Sequence, residues 1–156
     1  MSRVPEHAGI ACRRAQFFAL KVMFTVPIYA WLLGVARHIH GPRGFAPGVP
    51  LGVLRVGLAV LALIDLLMIP RLVSGVLDPP APPAGGASTA ISRLRTASVL
   101  AMAMCEAIAL LGFALALLGG QSRDFYAFAL LSLAAFVWHF PRRSAWEARL
   151  RELPRA

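Results

Sequence analysis

The sequence predicts an all-α integral membrane protein: a four-helix bundle of two transmembrane hairpins, followed by a short cytoplasmic amphipathic C-terminal helix. Three observations predict it. Hydrophobic residues make up 58% of the chain and mean hydropathy is +0.69, against about 45–50% apolar residues in a soluble domain. Four apolar runs, 15–36, 51–70, 97–118 and 125–140, suit a hydrocarbon core of about 30 Å at about 1.5 Å rise per residue. The basic residues behind the net charge of +9 crowd the ends of these runs, where membrane topology and anionic lipid account for them and nucleic acid is not needed as a partner.

The chain divides into an N-terminal segment 1–14, a first hairpin 15–70, a Pro/Gly/Ala-rich linker 71–96, a second hairpin 97–140 and a basic tail 141–156. Arg3, Arg13 and Arg14, then Arg71, Arg93 and Arg95, then Arg142, Arg143, Arg149, Arg151 and Arg155 flank one side of the spans, against Arg37, Arg43 and Arg123 on the other. The positive-inside rule therefore places both termini in the cytoplasm. Lys21 is the single Lys among sixteen basic residues. With abundant Ala, Gly and Pro, that bias suggests a GC-rich bacterial genome and an inner-membrane location.

The first run exceeds the roughly 7–15 residues of a signal-peptide core and no small-residue cleavage site follows it, so it is expected to stay in place. Pro27 removes a backbone hydrogen bond and is expected to kink this span, freeing the carbonyl of Met23. In the outer loop His38 and His40 have no Cys, Asp or Glu beside them, which fits a solvated turn and not a metal site. Lys21 and, in the second span, Asp65 each lie about five residues inside the cytoplasmic boundary. A structural ion pair is expected between them; the alternative is that Lys21 snorkels to the headgroups while Asp65 meets Arg71 or water. Arg55, near the outer end of the second span, either snorkels or reaches across ~9 Å toward Glu106.

The linker carries Asp78-Pro-Pro-Ala-Pro-Pro-Ala-Gly-Gly, which favours polyproline II and flexibility. Glu106 then stands at the centre of the third run with no other charged side chain in it. A charged acid at that depth costs roughly 3 kcal/mol, so the group must be neutral, paired or functional. The polar groups nearest in depth are Thr25, Tyr29 and Cys105. Glu106, Thr25, Tyr29 and the free carbonyl of Met23 define a candidate proton or ion site, to which Arg55 is a further candidate contributor. Ala97, Ala101, Cys105 and Ala109, followed by Gly112 and Ala116, form a small-residue face for close helix approach and self-association.

Gly119-Gly120 ends the third span, and Ser122 and Asp124 are N-cap candidates for the fourth. That span is short, about 24 Å. Tyr126, Trp138 and Trp146 read as interfacial anchors. In the tail, Trp146, Leu150 and Leu153 share one helical face, with Arg142, Arg143 and Arg149 around it, the pattern of a helix lying on an anionic leaflet. Cys12 and Cys105 supply no disulfide framework. No paired mid-membrane His pointing to haem, and no nucleophile–base set, is legible, so neither a cofactor nor an enzyme is expected.

Glu106-Ala-Ile-Ala-Leu-Leu-Gly-Phe-Ala-Leu-Ala-Leu resembles the ion-binding helix of rotary ATP synthase subunit c. Ala107, Ala109 and Gly112 match that pattern, while Leu111 stands where Tyr is common and Phe113 where Leu is common. The resemblance implies an ion-carrying role for Glu106, with a proton favoured over sodium because the following Ser or Thr is absent. The Asp124-Phe-Tyr start and Phe140-Pro-Arg-Arg with Trp146-Glu resemble an uncharacterised family of small bacterial four-span membrane proteins with such a helix. The expected function is a proton-coupled or subunit-c-like component in which Glu106 titrates. The alternative is a non-catalytic scaffold or assembly subunit in which Glu106 is a packing hydrogen bond. Expected partners are the bilayer and either further copies of the chain or other members of a membrane complex.

Overall fold

Every element of the computed structural model, which describes residues 6–41, 44–46, 50–78 and 86–151, is helical. In order these are α1 (Glu6–Met23), α2 (Thr25–His40), α3 (Leu51–Leu77), α4 (Gly86–Gly119), α5 (Ser122–His139) and α6 (Arg143–Arg151). Three segments are long and apolar enough to cross a membrane: Gly9–His40, Leu51–Leu77 and Thr89–Gly119. A fourth arises if Ser122–His139 and Arg143–Leu150, bent by 44°, count as one span. Their outer faces carry exposed Phe17, Phe24, Trp31, Val53, Leu130 and Trp138, a surface that suits lipid and not water.

The bundle is organised around α4, which packs against α1, α2, α3 and α5. Its apolar window is 44% buried, against 11% for α3 and 22% for the α1–α2 segment. Small side chains make this possible: Ala97, Ala101, Cys105, Ala109 and Ala116 are all buried, and removing bulk lets backbones approach. The face expected to drive self-association is therefore covered by the chain's own helices. Gly112 makes the tightest approach, since a Cβ there would lie 2.3 Å from Cβ of Phe128 on α5. Gly112→Val is expected to push α5 away and cost about 1–3 kcal/mol, read as a lower midpoint of thermal unfolding in detergent.

Three helix boundaries differ from expectation. The first span breaks at Phe24, which makes Pro27 the third residue of α2. First-turn amides have no intrahelical acceptor, so the missing N–H costs little there. Thr25 Oγ1 donates to the Val22 carbonyl at 2.6 Å across the break. The second span does not end at Pro70 but continues to Leu77, because Leu72, Val73, Val76 and Leu77 extend its apolar pattern beyond Arg71. Most of the expected linker 71–96 is thus helical, and its proline pairs, at 79–83, lie outside the described residues, as do Arg3, Arg43, Leu153 and Arg155.

One end of the bundle gathers both chain ends and the α3–α4 junction. Cys12, Ala15, Leu94 and Trp146 form a buried cluster with Leu77 and Leu150 against it, and Gln16 Nε2 donates to the Pro141 carbonyl at 3.0 Å. Trp146, expected at the lipid interface, is 4% exposed. The apolar face of α6 meets α1 and α4 instead of lipid, because the turn after Phe140 folds it back onto the bundle. Arg143 pairs with Glu147 at 2.7 Å along the same helix.

At the opposite end the α2–α3 loop closes over the C-terminus of α4. Phe45 N and Ala46 N donate to the carbonyls of Leu117 and Leu118 at 3.0 and 3.2 Å, satisfying acceptors that the last helical turn leaves open. Gly44 is required here: its φ is +67°, and a Cβ would lie 2.4 Å from the Leu118 oxygen. His40, expected in a solvated turn, is the last residue of α2 and stays exposed, edge-on to the exposed Phe45 with ring centroids 4.7 Å apart.

Candidate functional site around Glu106

Glu106 projects from the middle of α4 toward α2. There Tyr29 Oη donates a hydrogen bond to its Oε1 at 2.7 Å, joining two of the residues that the sequence places at one depth. No described group hydrogen-bonds to Oε2. One carboxyl oxygen is therefore held, and the other has no hydrogen-bond partner among the described residues. The Tyr29 ring packs against Phe113 at 5.3 Å, and Phe113 against Phe125 at 6.3 Å, so an aromatic wall borders the carboxyl on the side of α5. Thr25 lies one turn before Tyr29, but its hydroxyl is committed to the Val22 carbonyl and not to Glu106.

Arg55 does not reach Glu106. Its guanidinium bonds both carboxylate oxygens of Asp124, with Nε at 3.1 and 3.0 Å and Nη2 at 2.9 Å, and it also donates to Gln121. Asp124 is consequently an ion-pair partner rather than a cap. The N-cap of α5 is Gln121, which makes no side-chain capping bond, and Ser122 accepts a hydrogen bond from Arg37. The reason is charge: a carboxylate in reach of a guanidinium makes stronger bonds than one facing backbone amides. These contacts join α2, α3 and α5 at the end opposite the termini.

Lys21 and Asp65 do not pair. The Lys21 ammonium lies over the Phe17 ring, 4.8 Å from its centroid, and the side chain is exposed. Their depths differ because α3 is longer than its apolar run suggested. A Cβ on Gly119 would touch Leu51; fourteen residues on from Leu51 is Asp65, and fourteen back from Gly119 is Cys105. Antiparallel helices of equal rise thus bring Asp65 level with Cys105. Lys21 lies eight residues before Tyr29, or ~12 Å nearer the end that holds the termini.

Asp65 on α3 and Glu106 on α4 therefore lie at about one level, where the sequence had placed them at different depths. The signal for Asp65 was the apolar stretch continuing past Pro70. Gln121, a partner of Arg55, left no signal that distinguishes it from a loop residue. Cys105 is fully buried, and its carbonyl accepts from Ser132 Oγ at 2.6 Å. Cys12 and Cys105 are free thiols. No group of three or more His, Cys, Asp or Glu that could hold a metal ion occurs among the described residues. The chain matches no family model, no curated protein and no solved structure.

Proposed function

We propose that the chain is a four-helix protein of the bacterial inner membrane, with both termini cytoplasmic, in which Glu106 is the titrating carboxyl of a proton-coupled or subunit-c-like component. The observation that carries this reading is the state of Glu106: one oxygen held by Tyr29 at 2.7 Å, the other unbonded, at mid-helix in an apolar span. A carboxyl so placed is oriented by a neutral hydroxyl and not by a cation, which suits taking up and releasing a proton inside the bilayer. The likeness of residues 106–117 to the subunit c ion-binding helix supports the same role. The orientation is supported by the gathering of Arg13, Arg14, Arg71, Arg93, Arg95 and Arg142 around the end that holds the termini. Association with further copies or a membrane complex falls to the exposed face of α3, since the small-residue face is occupied.

The second reading, a non-catalytic scaffold, is favoured by the same bond seen differently, because Tyr29–Glu106 ties α2 to α4. A hydrophobic carbodiimide, which reacts with protonated carboxyls in the bilayer, separates the two in native membranes. Labelling at Glu106 that fades as pH rises, and that Glu106→Gln removes, is the expected result. Absence of labelling at every pH supports the scaffold and overturns the titrating role.

A further inference from the structure

A cleft of about 200 Å³ opens where α3, α4 and the α5–α6 elbow meet, at the end of the bundle that holds the termini. Its apolar floor is built by Val73, Leu77, Leu94, Ala97 and Ala101. Its rim is basic, with Arg142 and Arg149 beside His139. Arg142 is exposed and makes no ion pair among the described residues. Arg149 reaches Asp78 at 3.7 Å with both side chains about half exposed, and the five N–H donors of its planar guanidinium let it bind an anion beside the contacts it already makes. Two guanidinium groups over an apolar floor at the boundary of a membrane bundle select a ligand that is anionic at one end and hydrocarbon at the other.

We infer that this cleft binds an anionic phospholipid, its phosphate held by Arg142 and Arg149 and the start of an acyl chain lying on Leu94, Ala97 and Ala101. Basic pockets between transmembrane helices on the cytoplasmic side hold acidic lipid headgroups in this way. The cleft is smaller than the about 300–1,000 Å³ of a site that encloses a whole drug-sized ligand. It receives the headgroup end of a lipid whose tails continue into the bilayer. The inference goes beyond the role of Glu106 and rests only on the chain being embedded in a membrane. It gives α6 a purpose that the expected interfacial helix lacked: its apolar face packs on protein, and its arginines then line a site rather than a flat leaflet.

The test uses the full chain in detergent, with dioleoylphosphatidylglycerol as the probe and dioleoylphosphatidylcholine as the neutral control, read by native mass spectrometry. The expected result is a preference for the anionic lipid of about 30-fold, equivalent to two arginines at about 1 kcal/mol each. It should vanish in R142Q/R149Q and persist in R13Q/R14Q, whose residues lie outside the cleft. Equal retention of both lipids, or a preference that survives R142Q/R149Q, overturns the site. So does displacement of the lipid by millimolar inorganic phosphate, which would mean that the arginines read free phosphate. A second readout stands apart from variant folding. With Trp31 and Trp138 replaced by Phe, Trp146 is the sole indole and sits in the cleft wall. Phosphatidylglycerol brominated near the headgroup end of its chains should quench it, and brominated phosphatidylcholine should not; quenching by neither or by both overturns the proposal.

Discussion

Replacing Glu106 with Gln is expected to bring proton flux in reconstituted liposomes down to that of protein-free vesicles while leaving the helical bundle intact. The fold survives because the amide oxygen of Gln still accepts the Tyr29 hydroxyl that Glu106 Oε1 accepts at 2.7 Å. Flux is lost because the amide cannot take up or release a proton at the level where α4 crosses the middle of the bundle. Tyr29→Phe is the informative companion. It leaves the carboxyl in place but removes its one described partner, costing about 0.6 kcal/mol, the average for hydrogen bonds between membrane helices, and at most about 1.7 kcal/mol. Partial flux with an altered pH dependence is expected from it. The contrast between the two variants is what a scaffold role does not produce: there Glu106→Gln is nearly silent and Tyr29→Phe is the more damaging change, because only the latter breaks the bond. Circular dichroism of both variants establishes that the comparison is made between folded proteins.

Asp124→Asn is expected to destabilise the bundle by about 2–3 kcal/mol, a fall of roughly 5–10 °C in the thermal midpoint in detergent. Arg55 holds Asp124 through both carboxylate oxygens, a geometry stronger and more selective than a single ionic contact. The side chains are 31% and 11% exposed, so the pair is only partly in water and the guanidinium left behind is poorly compensated. The upper end of the about 3–5 kcal/mol for breaking a fully buried pair does not apply, because Arg55 retains access to solvent and to Gln121. Exchanging the two residues, Arg55→Asp with Asp124→Arg, should recover part of the loss. If Asp124→Asn leaves the midpoint unchanged, the pair makes no contribution and α3 is held by packing against α4 alone.

The all-helical class, the long apolar helices, an irregularity in the first span near Pro27 and the common depth of Tyr29 and Glu106 were legible in the chain itself. Each follows from local rules: apolar length against bilayer thickness, a missing N–H, and residues counted at a fixed rise from helix ends. The errors arose where counting started from the wrong end. Taking Pro70 as a terminus placed Asp65 near the boundary beside Lys21, when α3 runs on to Leu77 and carries Asp65 to the level of Cys105.

Composition and periodicity by themselves thus determined the all-helical class, where the apolar runs lie, and that one carboxyl stands in the middle of such a run, because these are properties of single segments. Only the tertiary structure decided the partners. It gave Arg55 to Asp124 instead of Glu106, folded Trp146 against Cys12 and Leu94 instead of lipid, and covered the small residues of α4 with the chain's own α1, α3 and α5. The physical reason is that the face a helix turns toward its neighbours depends on the rotation and relative shift of whole helices. Those are set by packing over many side chains at once, such as Gly112 against Phe128 and Gly44 over the end of α4, and no single span encodes them.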